Sequence, residues 1–210
     1  MKLYDCQMAP NPRRVRIFLA EKGLTIPKVE VSILDGENLK PEFLKINPRG
    51  LLPVLELDDG TLLDETVAIC RYIEETHPNP PLMGTTTLER AIVESWQRHM
   101  EFDGLASVGE IIRNTIPIFS ARGLPGVTGV PAIPALVERG TASTHRFFDR
   151  LEQRLKESEF IAGKQFTIAD ITALCAVDVA KNFVKIAIPE GNTNTQRWYA
   201  AVSSRPSAKA

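Results

Sequence analysis

The chain has 210 residues, with 25 basic and 26 acidic side chains and a net charge of −1. That length holds one sizeable core or two small ones, and the balanced charge excludes the broad basic surface that nucleic acid demands. No apolar run approaches a membrane span, and three widely spaced cysteines (Cys6, Cys70, Cys175) suggest no disulfide framework, so a reduced, cytoplasmic setting is the expectation.

The opening M-K-L-Y-D-C lacks the long apolar core of a signal peptide and reads, over Lys2 to Cys6, as a short strand. Pro12 stands where a helix begins, followed by Val15, Ile17, Phe18 and Leu19 and closed by Gly23. Lys28 to Ile33 alternates as a second strand, with Val29, Val31 and Ile33 on one face. Pro41 to Leu44 starts a short helix that Asn47-Pro48 must end. Pro53 then opens an apolar run, Asp59-Gly60 makes a tight hairpin, and the returning run leads into a helix from Glu65 to about Thr76. The order is β-α-β-α-β-β-α, a mixed sheet in which a right-handed crossover joins a parallel pair and the hairpin adds antiparallel strands.

His77-Pro78-Asn79-Pro80-Pro81 is a stiff linker, and helical spacing follows it. One helix is expected from Glu89 to about Asn114 on Ile92, Trp96 and Met100, another around Phe147, Phe148, Leu151 and Leu155. Gly and Pro are too dense from Pro117 to Pro134 for a continuous helix. Thr167-Ile168-Ala169-Asp170 reads as a capping box, with Phe166 and Ile171 placed as its hydrophobic staple. Its role is structural.

Other constellations carry less. The three histidines are scattered and imply no metal site. Arg13, Arg14 and Arg16 read as a solvated helix face. Cys6-Gln7-Met8-Ala9 is no C-x-x-C, and all three cysteines fall in apolar patterns expected to be inert core.

The run of Pro53 before Val54-Leu55, a short hairpin, and Glu65-Thr66-Val67-Ala68-Ile69-Cys70-Arg71-Tyr72-Ile73 resembles the glutathione-binding half of the cytosolic glutathione transferases, bacterial members included. The T-I-A-D segment resembles the capping box of that family's helical domain, so the resemblance spans essentially the whole chain. It implies an α/β plus all-α fold: a thioredoxin-like domain over 1–77, a linker over 78–88, and an all-helical domain over 89–210. It implies a homodimer, glutathione as co-substrate without a metal, and attack by the bound thiolate on a small apolar electrophile, a disulfide or a peroxide.

The same resemblance distributes the site. Pro53, in cis, turns the Leu52 N–H and C=O toward the cysteinyl part of the tripeptide, as an added strand would be met. Glu65 takes the γ-glutamyl ammonium and Thr66, at a helix N-terminus, the α-carboxylate, although the two residues also read simply as a helix start. Asn38 or Lys40 is expected at the glycyl carboxylate, and Asp103 at the γ-glutamyl group of a partner subunit. Ala9 occupies the position where the serine classes carry their hydroxyl, and Tyr4 lies too early. Asn11 is therefore the candidate to stabilise the thiolate through its amide and the helix terminus, with helix capping as its other reading. The 117–134 segment is either a partial cover of the electrophile pocket or a plain surface connection. Two further functions stay open: a non-catalytic binding or scaffold protein, and a glutathione-dependent isomerase, for which the serine-cysteine pair is missing.

Overall fold

In the computed structural model, which describes residues 1–210, strand β1 (Lys2–Asp5) lies inside a four-stranded sheet of order β2-β1-β3-β4. It runs parallel to β2 (Lys28–Glu30) and antiparallel to β3 (Val54–Glu56), which pairs antiparallel with β4 (Leu62–Asp64). Helix α1 (Pro10–Glu21) makes the crossover, α2 (Pro41–Leu44) follows a 3-10 turn at Glu37–Leu39, and α3 (Thr66–Thr76) follows the hairpin. This is the expected β-α-β-α-β-β-α order of a thioredoxin-like domain. Neighbours along a strand face opposite ways. Leu3 and Leu55 accordingly join the large core with Val15, Ile17 and Phe18 of α1 and Ile69 and Ile73 of α3, while Tyr4 and Val54 join Phe43 of α2 on the other face.

Strand β2 is shorter than the alternation from Lys28 to Ile33 suggests. Val31 still donates to Asp5 O at 2.8 Å, but β1 ends there and leaves no further partner. The chain turns away at Ser32, whose N–H donates to Glu37 Oε2 (2.8 Å) and whose hydroxyl donates to Asp35 (2.6 Å).

The long helix expected from Glu89 to Asn114 is one helical run in three parts. Helix α4 (Thr87–His99) starts earlier because Thr86 and Glu89 form a capping box. A π-helical stretch, Met100–Leu105, joins it to α5 (Ala106–Thr115). Within that stretch Gly104 lies against Phe147, where a Cβ would come within 2.9 Å of the ring. Helices α6 (Pro134–Lys156), α7 (Ile168–Phe183) and α8 (Thr193–Ser203) complete the all-helical half. Every residue of α7 from Ile168 to Val177 is buried, as its apolar sequence requires. Asp170 anchors its start: one carboxylate oxygen accepts from the Thr167 N–H (2.9 Å) and hydroxyl (3.1 Å), the other from Ile161 N–H and Trp198 Nε1 (both 2.9 Å). Burial pushes this carboxyl up, and the four donors oppose that shift.

The arginine cluster on α1 is not a solvated face. Arg14 and Arg16 are 2% and 4% exposed, and each arginine has an acid: Arg13 pairs with Asp178 (2.6 Å), Arg14 with Glu101 (2.6 Å) and Arg16 with Asp5 (2.5 Å). α1 is buried against α7 as well as the sheet, and its polar positions turn inward to meet those acids. The three cysteines are free and buried, as their apolar surroundings imply. No helix is long and apolar enough to cross a membrane.

Candidate active site

Helix α3 begins at Thr66, and its first intrahelical bond runs from Ile69 N–H to Glu65 O at 3.0 Å. The N–H groups of Thr66, Val67 and Ala68 have no acceptor in the protein. They form a short row of donors at the positive end of the helix, suited to a carboxylate. Glu65 precedes them with φ 64° and ψ 122°, a backbone region that costs a residue with a Cβ about 1–3 kcal/mol. Its carboxylate meets the guanidinium of Arg49, with both side chains more than half exposed. An exposed pair is weakly held, so an incoming ammonium can exchange with Arg49.

Leu52 precedes β3, with its side chain buried in the cluster of Tyr4, Phe43 and Val54. The Leu52–Pro53 bond is cis, and neither the N–H nor the C=O of Leu52 has a hydrogen-bond partner in the protein. The turn before it is pinned by Asn47, whose Nδ2 donates to Leu51 O (3.0 Å) and whose Oδ1 accepts from Arg49 N–H (3.1 Å). Gly50 closes the turn at φ 61°, a conformation open to glycine at little cost.

Asn11 is brought to the same place: the Thr66 hydroxyl donates to the Asn11 carbonyl oxygen at 3.4 Å. The capping reading of Asn11 does not hold, because α1 begins at Pro10 with Ala9 as its N-cap. Asn11 is the second helical residue. Its Oδ1 accepts from Arg14 Nη1 at 3.0 Å, and no group in the protein accepts from its Nδ2. Pro10 and Pro12 remove two of the donors a helix start normally offers, and Arg13 N–H is taken by Ala9 O (3.2 Å). The Asn11 N–H and the Asn11 amide are what remains at this terminus.

The other candidates lie around this centre. Asn38 is 4% exposed, and its Nδ2 donates to Gly50 O at 2.8 Å, while Lys40 is exposed at the start of α2. Tyr4 is buried, with its hydroxyl donating to Glu56 at 2.8 Å, and is therefore no thiol activator. Asp103 lies in the π-helical stretch, paired with Arg150 at 2.7 Å. The Gly/Pro-rich segment after α5 packs onto the turn at Arg49–Leu51: a Cβ on Gly126 would fall 2.0 Å from Arg49 O.

A family model described as the glutathione S-transferase N-terminal domain matches residues 3–81, and one described as the C-terminal domain matches 127–206. The chain belongs to the glutathione S-transferase family. Its whole length is 33% identical to glutathione S-transferase 2 of Saccharomyces cerevisiae, covering 88% of that protein. The crystal structure of Gtt2 from Saccharomyces cerevisiae superposes with a TM-score of 0.91 at 33% identity, covering all of this chain and 99% of that one. A Gtt2-class glutathione S-transferase of Vibrio parahaemolyticus superposes at 0.85 with 37% identity, covering 100% and 96%.

Two features of this family member escaped the sequence reading. Arg14 holds the Asn11 amide, and its place three residues along the same helix was the available signal. Arg122, from the Gly/Pro-rich segment, donates to Ile33 O (2.9 Å) and to Asn38 Oδ1 (3.4 Å). No sequence signal joins residues so far apart.

Proposed function

We propose that this chain is a glutathione transferase in which the tripeptide lies along Leu52, Glu65 and Thr66 and its thiol meets Asn11. The observation that carries the reading is the contact between Thr66 and Asn11 beside the unpaired backbone groups of Leu52. The cysteinyl backbone pairs with the Leu52 N–H and C=O. The γ-glutamyl carboxylate takes the open N–H groups at the start of α3, and its ammonium takes Glu65 in place of Arg49. Pro53 shapes the turn rather than donating, since it has no N–H.

The Asn11 amide and N–H donate to the sulfur, favour the thiolate over the thiol, and so supply nucleophile at neutral pH. The thiolate attacks the electrophilic carbon, a new C–S bond forms, and the leaving group departs with its electron pair. With a disulfide or peroxide, the same attack forms S–S or S–O and releases a thiolate or alkoxide. The thiol proton goes to solvent. The protein's contribution is to bring the reactants together and hold the charge on sulfur.

The test is a calorimetric titration with reduced glutathione near neutral pH, repeated in two buffers of different ionisation enthalpy. Binding with proton release is expected. Binding without release supports a carrier, and no binding refutes the reading.

We further infer a cytoplasmic homodimer of chains divided at 1–77, 78–88 and 89–210. Leu62 on the edge strand β4, Leu88 and Ile92 on α4, and Phe102 in the π-helical stretch are exposed apolar residues, Leu88 and Phe102 by more than two thirds. They offer the apolar surface a second copy would cover. Sedimentation should give about twice the 23.3 kDa of the chain.

A further inference from the structure

Arg113, near the end of α5, and Arg122 lie together without an acid. Arg113 Nη1 donates to Arg122 O at 3.2 Å, and both guanidinium groups lie over the ring of Phe119, at 4.4 and 5.5 Å from its centre. Their other hydrogen bonds are those of Arg122 to Ile33 O and Asn38 Oδ1. Neither forms an ion pair, whereas Arg13, Arg14 and Arg16 each hold a carboxylate. Burial and then the neighbouring charge of Arg122 lower the pKa of Arg113. Half-buried like charges are costly, and an anion beside them recovers that cost.

Where the anion comes from follows from the direction of the tripeptide, and this step rests on the glutathione reading. The γ-glutamyl end lies at Thr66 and the cysteinyl part at Leu52. The peptide then leaves Leu52 on the side away from Thr66, toward Gly50, whose carbonyl holds Asn38, which in turn meets Arg122. Asn38 has its donor engaged at Gly50 and no charge. Arg122 has a charge, and only its Nη2 is engaged.

We propose that Arg122, backed by Arg113, binds the free glycyl carboxylate of glutathione, so that the helical half of the chain completes the tripeptide site. The segment is positioned for this because Gly126 seats it on Arg49 and Leu51. The reading assigns the glycyl end to the Gly/Pro-rich segment rather than to Asn38 or Lys40.

The experiment measures dissociation constants for glutathione and for its glycyl monoethyl ester, which differ only in that carboxylate. The unmodified protein should bind the ester about tenfold or more weakly, the scale of one charged hydrogen bond. R122M should bind glutathione and ester alike. K40M, a change at an exposed side chain, should discriminate as the unmodified protein does. The proposal is overturned if R122M weakens both ligands equally and keeps the discrimination, or if K40M abolishes it. Should R122M fail to fold, K40M and the unmodified protein still decide. Equal binding of the two ligands by the unmodified protein sinks this proposal and leaves the glutathione reading standing; binding of neither sinks both.

Discussion

Arg14 Nη1 donates to Asn11 Oδ1 at 3.0 Å, and that bond decides which end of the Asn11 amide is free. The oxygen is held by a cation, so the amino group is left to donate. Arg14 is itself fixed by Thr172 (2.9 Å) and Glu101 (2.6 Å) from the helical half. The residue expected to meet the thiol is thus oriented by the other half of the chain.

Asn11→Ala should lower kcat about 10- to 100-fold, the worth of a hydrogen bond to a charged group, while the Kd for glutathione changes little. Steady-state kinetics with an aryl halide, alongside calorimetry, separates the two. Unchanged turnover moves the role to the Asn11 backbone N–H, which the substitution keeps.

Glu65→Gln should act on binding instead. With the carboxylate gone, the γ-glutamyl ammonium loses its charged partner, and Kd should rise about tenfold at nearly constant kcat under saturation. A fall in kcat with unchanged Kd would contradict the placement of the ammonium.

Gly126→Ala should displace the Gly/Pro-rich segment. The added Cβ meets Arg49 O, and φ 76° disfavours any residue with a Cβ. Faster amide exchange over 117–133 and weaker glutathione binding are the expected pair of effects. Faster exchange with unaltered binding would make the segment a plain surface connection.

Acid should loosen the C-terminal turn at Pro206–Lys209. Burial alone would raise the carboxyl of Glu21, but hydrogen bonds from Arg205 and Ser207 and the charge of Arg205 bring it below its ordinary value of 4.5. A depressed folded pKa means the contribution is complete above the unfolded value and is lost as pH falls through the folded one. Protection from hydrogen exchange in this turn, taken relative to the intrinsic exchange rate, should therefore be lost in acid below the ordinary carboxylate value of 4.5 in the unmodified protein. Glu21→Gln should already exchange fast at pH 7 and show little of that pH dependence.

Thiol reagents should find almost nothing in the native protein. Burial pushes the Cys70 thiol up to about 12 and Cys175 up to about 11, so neither supplies thiolate at neutral pH. Titration should count three thiols only after denaturant is added.

Local chemistry wrote the first half of the fold into the sequence. The hairpin turn Asp59-Gly60, the helix start at Glu65-Thr66 and the Thr167–Asp170 cap each depend on neighbours a few residues away, so periodicity and turn chemistry found them. The N-terminus of α1 was misread by two residues because Pro10 and Pro12 are equally suited to a first turn, and only the fold chose Pro10.

The charged side chains tell the opposite story. Arg14 and Arg16 carry no local sign of burial, since a cation belongs inside only when an acid from elsewhere meets it. Glu101 and Asp178, which pair with Arg14 and Arg13, lie more than eighty residues away, and Arg122 reaches Ile33 and Asn38 across a similar span. The sequence by itself determined the elements of the first half, their order and the pieces of the candidate site there, because those rest on short-range backbone geometry. Only the tertiary structure decided how Arg14, which turns the Asn11 amide, is itself held and which cations stand without an acid, because both depend on partners that chain folding brings together from distant positions.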